Sequence, residues 1–239
     1  MHSMKPVANV IKPYLKKNMR ALDIGAAKGE LLSCIKEDVA YCFGIELNEE
    51  YCNFIKNELG IDTSNQDYFE INYDQPFDMI IINSTLDHMY NSLGVLEKIY
   101  DDLIPGGLLY IQTPNDEQAL KNYLPEEQRF EFQKFMYQKA HYLSFSSSTL
   151  QMALEQTGFT VKNLFSRHDY NFKNFLNWYF VGKRQLNIEE AKINCTFFNN
   201  RSKFENEMNA MLEEAESKFQ NIISRNLAGE LLCCFAQRN

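Results

Sequence analysis

Short apolar runs alternate with amphipathic stretches from Met19 to about Phe165, and this alternation is typical of strands and helices in a parallel sheet. The run 77–82 is almost continuously apolar with a β-branched core, which indicates a strand that is buried on both faces. The predicted strands are 20–24, 41–46, 61–64, 77–82, 108–112 and 159–165. Helices are predicted between them, over 30–37, from about 48 to 59, and over 93–103, 126–140 and 148–157.

The pattern changes beyond residue 166. The stretch 187–226 is strongly helical, and 231–236 predicts a closing strand. We therefore expect an α/β protein with one domain over 1–239, in which a core of about 19–166 and 228–237 carries a helical insertion of about 167–227 before the last strand. The insertion carries an apolar stripe, which we predict to pack inside the chain; the alternative is that it forms a homodimer face. The residues of the stripe are Phe204, Met208, Met211, Leu212, Ala215 and Phe219.

Composition narrows the class of protein. With 239 residues, 45% hydrophobic and 23% charged, the chain resembles an ordinary globular protein, and its net charge of -8 disfavours nucleic acid as a partner. No apolar run approaches the roughly 18 residues of a membrane span, and residues 1–5 lack the layout of a secretory signal. We expect a cytoplasmic protein without membrane insertion.

The six cysteines form no C-x-x-C pair, so no metal site is predicted.

The turn after the first predicted strand carries the main functional signal. Asp23 lies near the end of that strand, and the small residues Gly25, Ala27 and Gly29 allow a ligand to approach the backbone and the start of the next helix. Glu46 ends the second strand, where a carboxylate can accept hydrogen bonds from both hydroxyls of an adenosyl ribose. A P-loop is excluded because G-K-[ST] is absent, and the G-x-G-x-x-G spacing of a dehydrogenase is absent too.

Several motifs resemble those of class I S-adenosylmethionine-dependent methyltransferases, over roughly residues 19–166. The segment 21–29 is similar to the first motif of that family, with Ala27 in place of the middle glycine. The segment 44–46 is similar to the ribose-binding motif, and 65–68 occupies the place of the adenine contact. The segments 77–88 and 103–109 resemble the family's fourth strand and the turn before its fifth, and 142–159 resembles a late stretch of small-molecule members.

The resemblance implies a Rossmann-like, doubly wound sheet of seven strands with the last strand antiparallel. It also implies S-adenosylmethionine as the cofactor, S-adenosylhomocysteine as the product and no metal. The expected cofactor-binding residues are Asp23, Gly25, Ala27, Gly29, Glu46, Leu47, Gln66, Asp67, Tyr68 and Asn83.

Methyl transfer from a sulfonium requires alignment, exclusion of water and, for a hydroxyl acceptor, a base. His88 follows the fourth strand and His141 precedes the late helix, so both are candidate bases in loops at the carboxyl ends of strands. The alternatives are that His88 fixes its loop or the methionyl end of the cofactor and that His141 packs against the 126–140 helix.

The stretch 162–192 has six basic and three acidic residues, a net charge of +3 in an acidic chain. Arg167, His168 and Tyr170 in this stretch are the predicted acceptor-binding residues, because a guanidinium suits a phosphate or carboxylate. We therefore predict O-methylation of a small anionic molecule, such as a sugar or a phosphorylated or nucleotide-linked intermediate. Similar enzymes act in the biosynthesis of bacterial surface glycans or on quinone precursors. The alternatives are a solvated basic face, an RNA methyltransferase, and a cofactor-binding regulator without transfer activity.

Overall fold

The computed structural model describes residues 4–136, 143–183, 191–192 and 198–239. Seven strands form one sheet: β1 Arg20–Ile24, β2 Tyr41–Ile45, β3 Asp62–Ser64, β4 Phe77–Asn83, β5 Leu103–Pro114, β6 Phe159–Arg167 and β7 Leu231–Arg238. Their order is β3-β2-β1-β4-β5-β7-β6, and β7 is antiparallel. The predicted Rossmann-like sheet is thus confirmed.

The helices of the described residues are α1 Lys5–Ile11, α2 Glu30–Ile35, α3 Glu49–Glu58, α4 Ser92–Asp102, α5 Ala119–Asn122, α6 Glu126–Met136, α7 Ser147–Gln156, α8 Phe172–Val181 and α9 Lys203–Arg225. Single 3-10 turns occupy Lys12–Tyr14, Lys36–Asp38, Tyr68–Glu70 and Leu86–His88. Helices α1 and α8 were not predicted from the sequence. Of the predicted 126–140 helix, residues 137–140 lie outside the described part of the chain.

Parallel pairing brings several strand ends together. Strand β1 pairs with β2 on one side and with β4 on the other, so that Ile24 is opposite both Ile45 and Ile82. Strand β3 pairs with β2 through Ile45 and Ser64. Because parallel strands end at the same edge of a sheet, the loops that follow these four strands lie side by side at the carboxyl edge.

Strand β5 begins earlier than predicted. Pro105, Gly106 and Gly107 were predicted as a turn before the strand, but they lie inside it, where the pairing shifts from Phe77–Leu103 to Met79–Leu108. Extra residues in one strand of a pair form a bulge, and glycine at a positive φ (80° at Gly106) suits one. Glycine and proline together mark both turns and bulges, so local sequence does not separate the two.

The long helix of the C-terminal region differs from the prediction in two ways. Helix α9 begins at Lys203, and residues 198–202, which were predicted to be helical, are not. Phe204 and Met211 are exposed (65% and 52%), whereas Phe219 is buried. The predicted stripe is therefore only partly internal, because the buried line of α9 runs through Asn209, Phe219 and Ile223, and Phe204 and Met211 lie to one side of it.

Contacts divide the chain into two compact units. The first comprises 1–113, 148–164 and 233–239, and the second comprises 114–147 and 165–232. Within the second unit, one buried cluster joins Leu120, Leu124, Phe132 and Trp178, and another joins Ala119, Phe219, Ile223 and Ala228.

The glycine-containing turn between β1 and α2 has unusual backbone angles. Gly25, Ala27 and Gly29 all have positive φ values, of 81°, 48° and 72°. A Cβ atom at position 29 would lie 2.8 Å from Leu59 Cδ1 and 2.9 Å from Ile55 Cγ1. Gly29 is therefore required for the packing of this turn against α3, in addition to its conformational freedom.

Gly29→Ala should lower the free energy of unfolding by about 2 kcal/mol or more, because the left-handed conformation costs about 1 kcal/mol and the added methyl group clashes. Gly60→Ala is the matched control, since Gly60 also has a positive φ (65°) but has no atom within 4 Å of its virtual Cβ. Urea denaturation of both variants without ligand measures the difference, and equal losses would contradict a packing role for Gly29.

Candidate active site

A cleft of about 540 Å³ opens in the first unit along the carboxyl edge of the sheet. It is lined by the residues that follow β1, β2, β3 and β4: Ile24, Gly25, Ile45, Glu46, Leu47, Asp67, Tyr68, Phe69, Thr85, His88, Met89, Tyr90 and Asn91. Five of the predicted cofactor residues are therefore in the lining, namely Gly25, Glu46, Leu47, Asp67 and Tyr68. The other five, Asp23, Ala27, Gly29, Gln66 and Asn83, do not line the cleft, although Asp23 and Gln66 are next to lining residues in the chain.

The Glu46 carboxylate is held in place by two backbone groups. Ala27 N–H donates to Glu46 Oε2 at 2.9 Å, and Asn48 N–H donates to Oε1 at 2.9 Å. A carboxylate has about four acceptor positions, so each oxygen can accept another hydrogen bond. Glu46 is thus oriented to bind two neighbouring hydroxyl groups of a ligand in the cleft.

The segment after β3 provides a polar acceptor beside an exposed aromatic ring. Asp67 Oδ1 accepts a hydrogen bond from Phe69 N–H at 2.9 Å, which leaves Oδ2 for a ligand. The Tyr68 hydroxyl donates to Asp102 Oδ2 at 2.7 Å. This hydrogen bond fixes the segment to the end of α4. Leu47 and Phe69 are 67% and 49% exposed in the cleft lining, so a flat, apolar ring system would bury them both.

Phe69 lines the cleft but was not among the residues predicted from the sequence. Its only signal is a ring directly after the predicted adenine contact, and this signal is weak without the fold.

Two buried acceptors lie near the carboxyl ends of β1 and β4. Asp23 is 2% exposed, and its Oδ1 has no hydrogen-bond partner among the described residues. The side-chain oxygen of Asn83 is likewise buried and has no partner in the described part of the chain. Unsatisfied buried acceptors are costly, and a ligand that carries positive charge and N–H donors would compensate this cost.

The pKa of Asp23 is raised to about 7, mainly by burial and also by the negative charge of Glu46. A raised pKa of this kind is common at functional sites. The surroundings of Asp23 therefore favour either its protonated form or a nearby cation.

His88 is the candidate base that the structure places in the cleft lining. Its side chain is 41% exposed, and its Nε2 atom lies 3.6 Å from Oδ2 of the buried Asp87. A carboxylate behind an imidazole can orient it and stabilise its protonated form. The second candidate, His141, lies outside the described residues.

The three predicted acceptor-binding residues are in the second unit. Arg167 Nη2 contacts Asp169 Oδ1 at 3.1 Å, and the Lys192 ammonium lies 4.3 Å from the centre of the Tyr170 ring. His168 is buried, and its Nδ1 atom is 3.5 Å from Glu230 Oε2.

His168 and Glu230 are neighbours, and burial shifts the pKa of each side chain. Burial lowers the pKa of His168 to about 4, despite the opposing effect of Asp169. Burial, assisted by the charge of Asp169, raises the pKa of Glu230 to about 8. Both shifts favour the neutral forms of these side chains over an ion pair. The role of Glu230 could not be inferred from the sequence, because it lies 62 positions after His168.

The described residues show neither a metal-binding cluster nor a membrane-spanning helix. They contain no group of three or more His, Cys, Asp or Glu side chains that could hold a metal ion. No helix among them combines the length and the hydropathy that a membrane span requires.

The strand order, the antiparallel β7 and the carboxylate at the end of β2 define the class I methyltransferase fold. A family model described as "Methyltransferase domain" matches residues 3–164, more than half of the chain, and the protein belongs to this methyltransferase family. No curated protein has a significantly similar sequence.

Solved structures show the same fold at low sequence identity. A SAM-dependent methyltransferase from Archaeoglobus fulgidus has a TM-score of 0.61 and 20% identity, over 98% of this chain and 94% of its own. A methyltransferase from the complex with the Trm112 methyltransferase activator of Haloferax volcanii has a TM-score of 0.60 and 14% identity, over 97% and 87%. The N-methyltransferase NodS from Bradyrhizobium japonicum, in complex with S-adenosyl-L-homocysteine, has a TM-score of 0.52 and 13% identity, over 68% and 76%.

The raised pKa of Asp23 predicts how the stability of the ligand-free protein depends on pH. Since the folded pKa of about 7 exceeds the ordinary value of 3.8, the folded protein binds more protons than the unfolded chain between about pH 4 and pH 7. This contribution to stability is present at low pH and is lost as the pH rises through that window. Asp23→Asn should therefore be more stable than the unmodified protein at pH 8, by about 1–4 kcal/mol, with a smaller difference at pH 5.

Urea denaturation at both pH values tests this prediction. Glu49→Gln is the control, because Glu49 is an exposed carboxylate in the first turn of α3. A difference between Asp23→Asn and the unmodified protein that is the same at pH 5 and pH 8 would contradict it.

Proposed function

We propose that the protein is a methyltransferase that uses S-adenosylmethionine and acts on a small, anionic acceptor, preferably at a hydroxyl oxygen. The observation that carries the donor assignment is the Glu46 carboxylate, which two backbone N–H groups hold in the cleft with acceptor positions free. Glu46 would bind the ribose hydroxyls, and Asp67 Oδ2 would accept from the adenine amino group. Leu47 and Phe69 would cover the base.

The cationic end of the donor would lie toward the carboxyl ends of β1 and β4. Asp23 and Asn83 each have a buried oxygen without a partner among the described residues, and positive charge nearby would favour the ionised form of Asp23. When bound, S-adenosylmethionine supplies a methyl group on a positively charged sulfur, which is itself a good leaving group. The protein would therefore mainly align the acceptor and exclude water.

His88 would remove the proton from an acceptor hydroxyl. It lies in the cleft lining, and Asp87 is close enough to stabilise the imidazolium that forms. An amine acceptor has less need of such a base once it is unprotonated, which is why oxygen is favoured over nitrogen. His141 stays a prediction as a second candidate.

Glu46→Gln should weaken binding of S-adenosylmethionine and of S-adenosylhomocysteine alike, because both carry the ribose and a neutral amide accepts weaker hydrogen bonds than a carboxylate. We expect a loss of about 10-fold or more in affinity, measured by isothermal titration calorimetry. Glu50→Gln is the matched control, since Glu50 is an exposed acid in the first turn of α3 and does not line the cleft. Failure of the unmodified protein to bind either compound would refute the donor assignment.

An anionic acceptor is supported by the basic residues of the second unit. Arg167 contacts Asp169, and its guanidinium presents N–H donors in a planar fork that suits a phosphate or carboxylate. Phosphorylated and nucleotide-linked sugars combine such an anion with hydroxyl groups. Enzymes of surface glycan biosynthesis act on compounds of this type.

Arg167→Ala should raise the KM for a phosphorylated acceptor about 10-fold or more, with a smaller effect on binding of the donor. A screen of phosphorylated and nucleotide-linked sugars for turnover of S-adenosylmethionine identifies the acceptor for this measurement. Lys162→Ala is the control, because Lys162 is an exposed cation on β6. An unchanged KM for every anionic acceptor would exclude the role of Arg167.

The same screen decides between enzyme and regulator. Binding of the donor without turnover on any acceptor, RNA included, would favour a regulatory protein that has kept the cofactor site. A neighbouring structure includes an activator protein, so a negative screen of the isolated chain should be repeated with cell extract from the source.

A further inference from the structure

Helix α9 has one apolar line that is buried and another that is exposed. Phe219 and Ile223 are buried and belong to a core cluster of the second unit. Phe204, Met211 and Ile222 are exposed large hydrophobic residues. Because successive residues of an α-helix are about 100° apart, these three lie on one line, roughly a quarter of a turn from the buried line. The helix therefore presents apolar side chains to solvent along its length.

The exposed line has the spacing of a helix that packs against a second helix. Its positions alternate steps of four and three residues, which is the heptad repeat of paired helices. We call these six residues the α9 seam: Phe204, Met208, Met211, Ala215, Lys218 and Ile222. The seam extends over most of the 23-residue helix. Five of its six residues are apolar, so a helix with the same spacing would bury them.

The residues of the seam favour antiparallel pairing of two α9 helices. With a two-fold axis level with residue 213, the first half of one seam lies opposite the second half of the other. The opposing pairs are Phe204 with Ile222, Met208 with Lys218, and Met211 with Ala215. In a parallel pair each residue would face its own copy, so that Ala215 would leave a gap and two Lys218 ammonium groups would repel each other.

Charged residues beside the seam fit the same antiparallel arrangement. Lys218 Nζ contacts Glu214 Oε1 of its own helix at 2.6 Å, and both side chains are exposed. Lys218 lies opposite Met208 of the second copy, and Glu207 precedes Met208 on the side of the helix toward which Lys218 leans. The Lys218 stem can therefore cover Met208 while its ammonium group lies beside the Glu207 carboxylate. The two-fold axis repeats this pair, so a dimer contains it twice.

We propose that the α9 seam joins two copies of this protein into a homodimer through antiparallel packing of their α9 helices, with Lys218 of each copy paired with Glu207 of the other. The seam covers fewer heptads than a coiled coil that is stable by itself. We therefore expect reversible association, with a dissociation constant on the order of 10 μM. Dimerisation through α9 is independent of the proposed methyl transfer.

Sedimentation equilibrium of the full chain over roughly 1–300 μM measures this dissociation constant. Met211→Lys should raise it about 10-fold or more, because a dimer would then bury two lysines in place of two methionines. Ala210→Lys is the matched control, since Ala210 is exposed on the side of α9 away from the seam. A lysine at either position lies near both Glu207 and Glu214 on the helix surface. The control should change the dissociation constant by no more than about 2-fold.

A charge exchange tests the antiparallel arrangement. Glu207→Lys and Lys218→Glu should each raise the dissociation constant about 5-fold, and the double variant should return it to within about 2-fold of the unmodified protein. Within one copy these positions are about 16 Å apart along the helix and do not contact each other. Each single variant also loses a pair inside its helix, to Lys203 or to Glu214. The double variant lacks both pairs, so its recovery measures contacts between copies alone.

Three results would each overturn the proposal. They are a monomer over the whole concentration range, equal weakening by Met211→Lys and Ala210→Lys, and no recovery in the double variant. If Met211→Lys does not fold, as judged by circular dichroism, the charge variants decide, because they change only exposed side chains.

Discussion

The site depends on the hydrogen bond between Ala27 N–H and the Glu46 carboxylate. It connects the turn after β1 to the end of β2, and that turn is tightly bent by positive φ values at Gly25, Ala27 and Gly29. The same carboxylate contributes to the raised pKa of Asp23. Glu46 therefore has two effects: it is fixed in position by the turn, and its negative charge makes the surroundings of Asp23 more favourable for a cation. The proposed ribose site and the proposed site of the cationic end are thus electrostatically linked.

Elements with a strong local pattern were predicted well. Strand β1 was predicted at its observed bounds and β4 within one residue, because a buried parallel strand requires a continuous apolar run. Helix α8 was missed, since its aromatic residues pack on more than one side and give no single stripe; Trp178 is buried while Phe180 is 72% exposed. The bulge at 105–107 and the outward-facing Phe204 and Met211 depend on pairing and tertiary packing that local sequence does not encode.

The residues of the candidate site divide in the same way, into those that the sequence pattern predicts and those that depend on the fold. Asp23, Gly25 and Glu46 could be recognised because their spacing reflects a strand, a turn and a second strand end. The cofactor role of Gly29 stays a prediction, and the fold adds a second reason for this glycine, because a Cβ atom there would collide with Ile55 and Leu59. Thr85, Met89 and Tyr90 also line the cleft, but they gave no signal, because only the fold brings the loop after β4 to this edge of the sheet.

The position of β7 has a consequence for how the chain is made. This strand spans Leu231–Arg238, yet it lies between β5 and β6 in the sheet. Until β7 has been synthesised, β5 and β6 each have an edge without the strand that pairs with it in the folded sheet. Open strand edges invite pairing with other chains, so a chain that lacks β7 is more prone to aggregate than one that contains it.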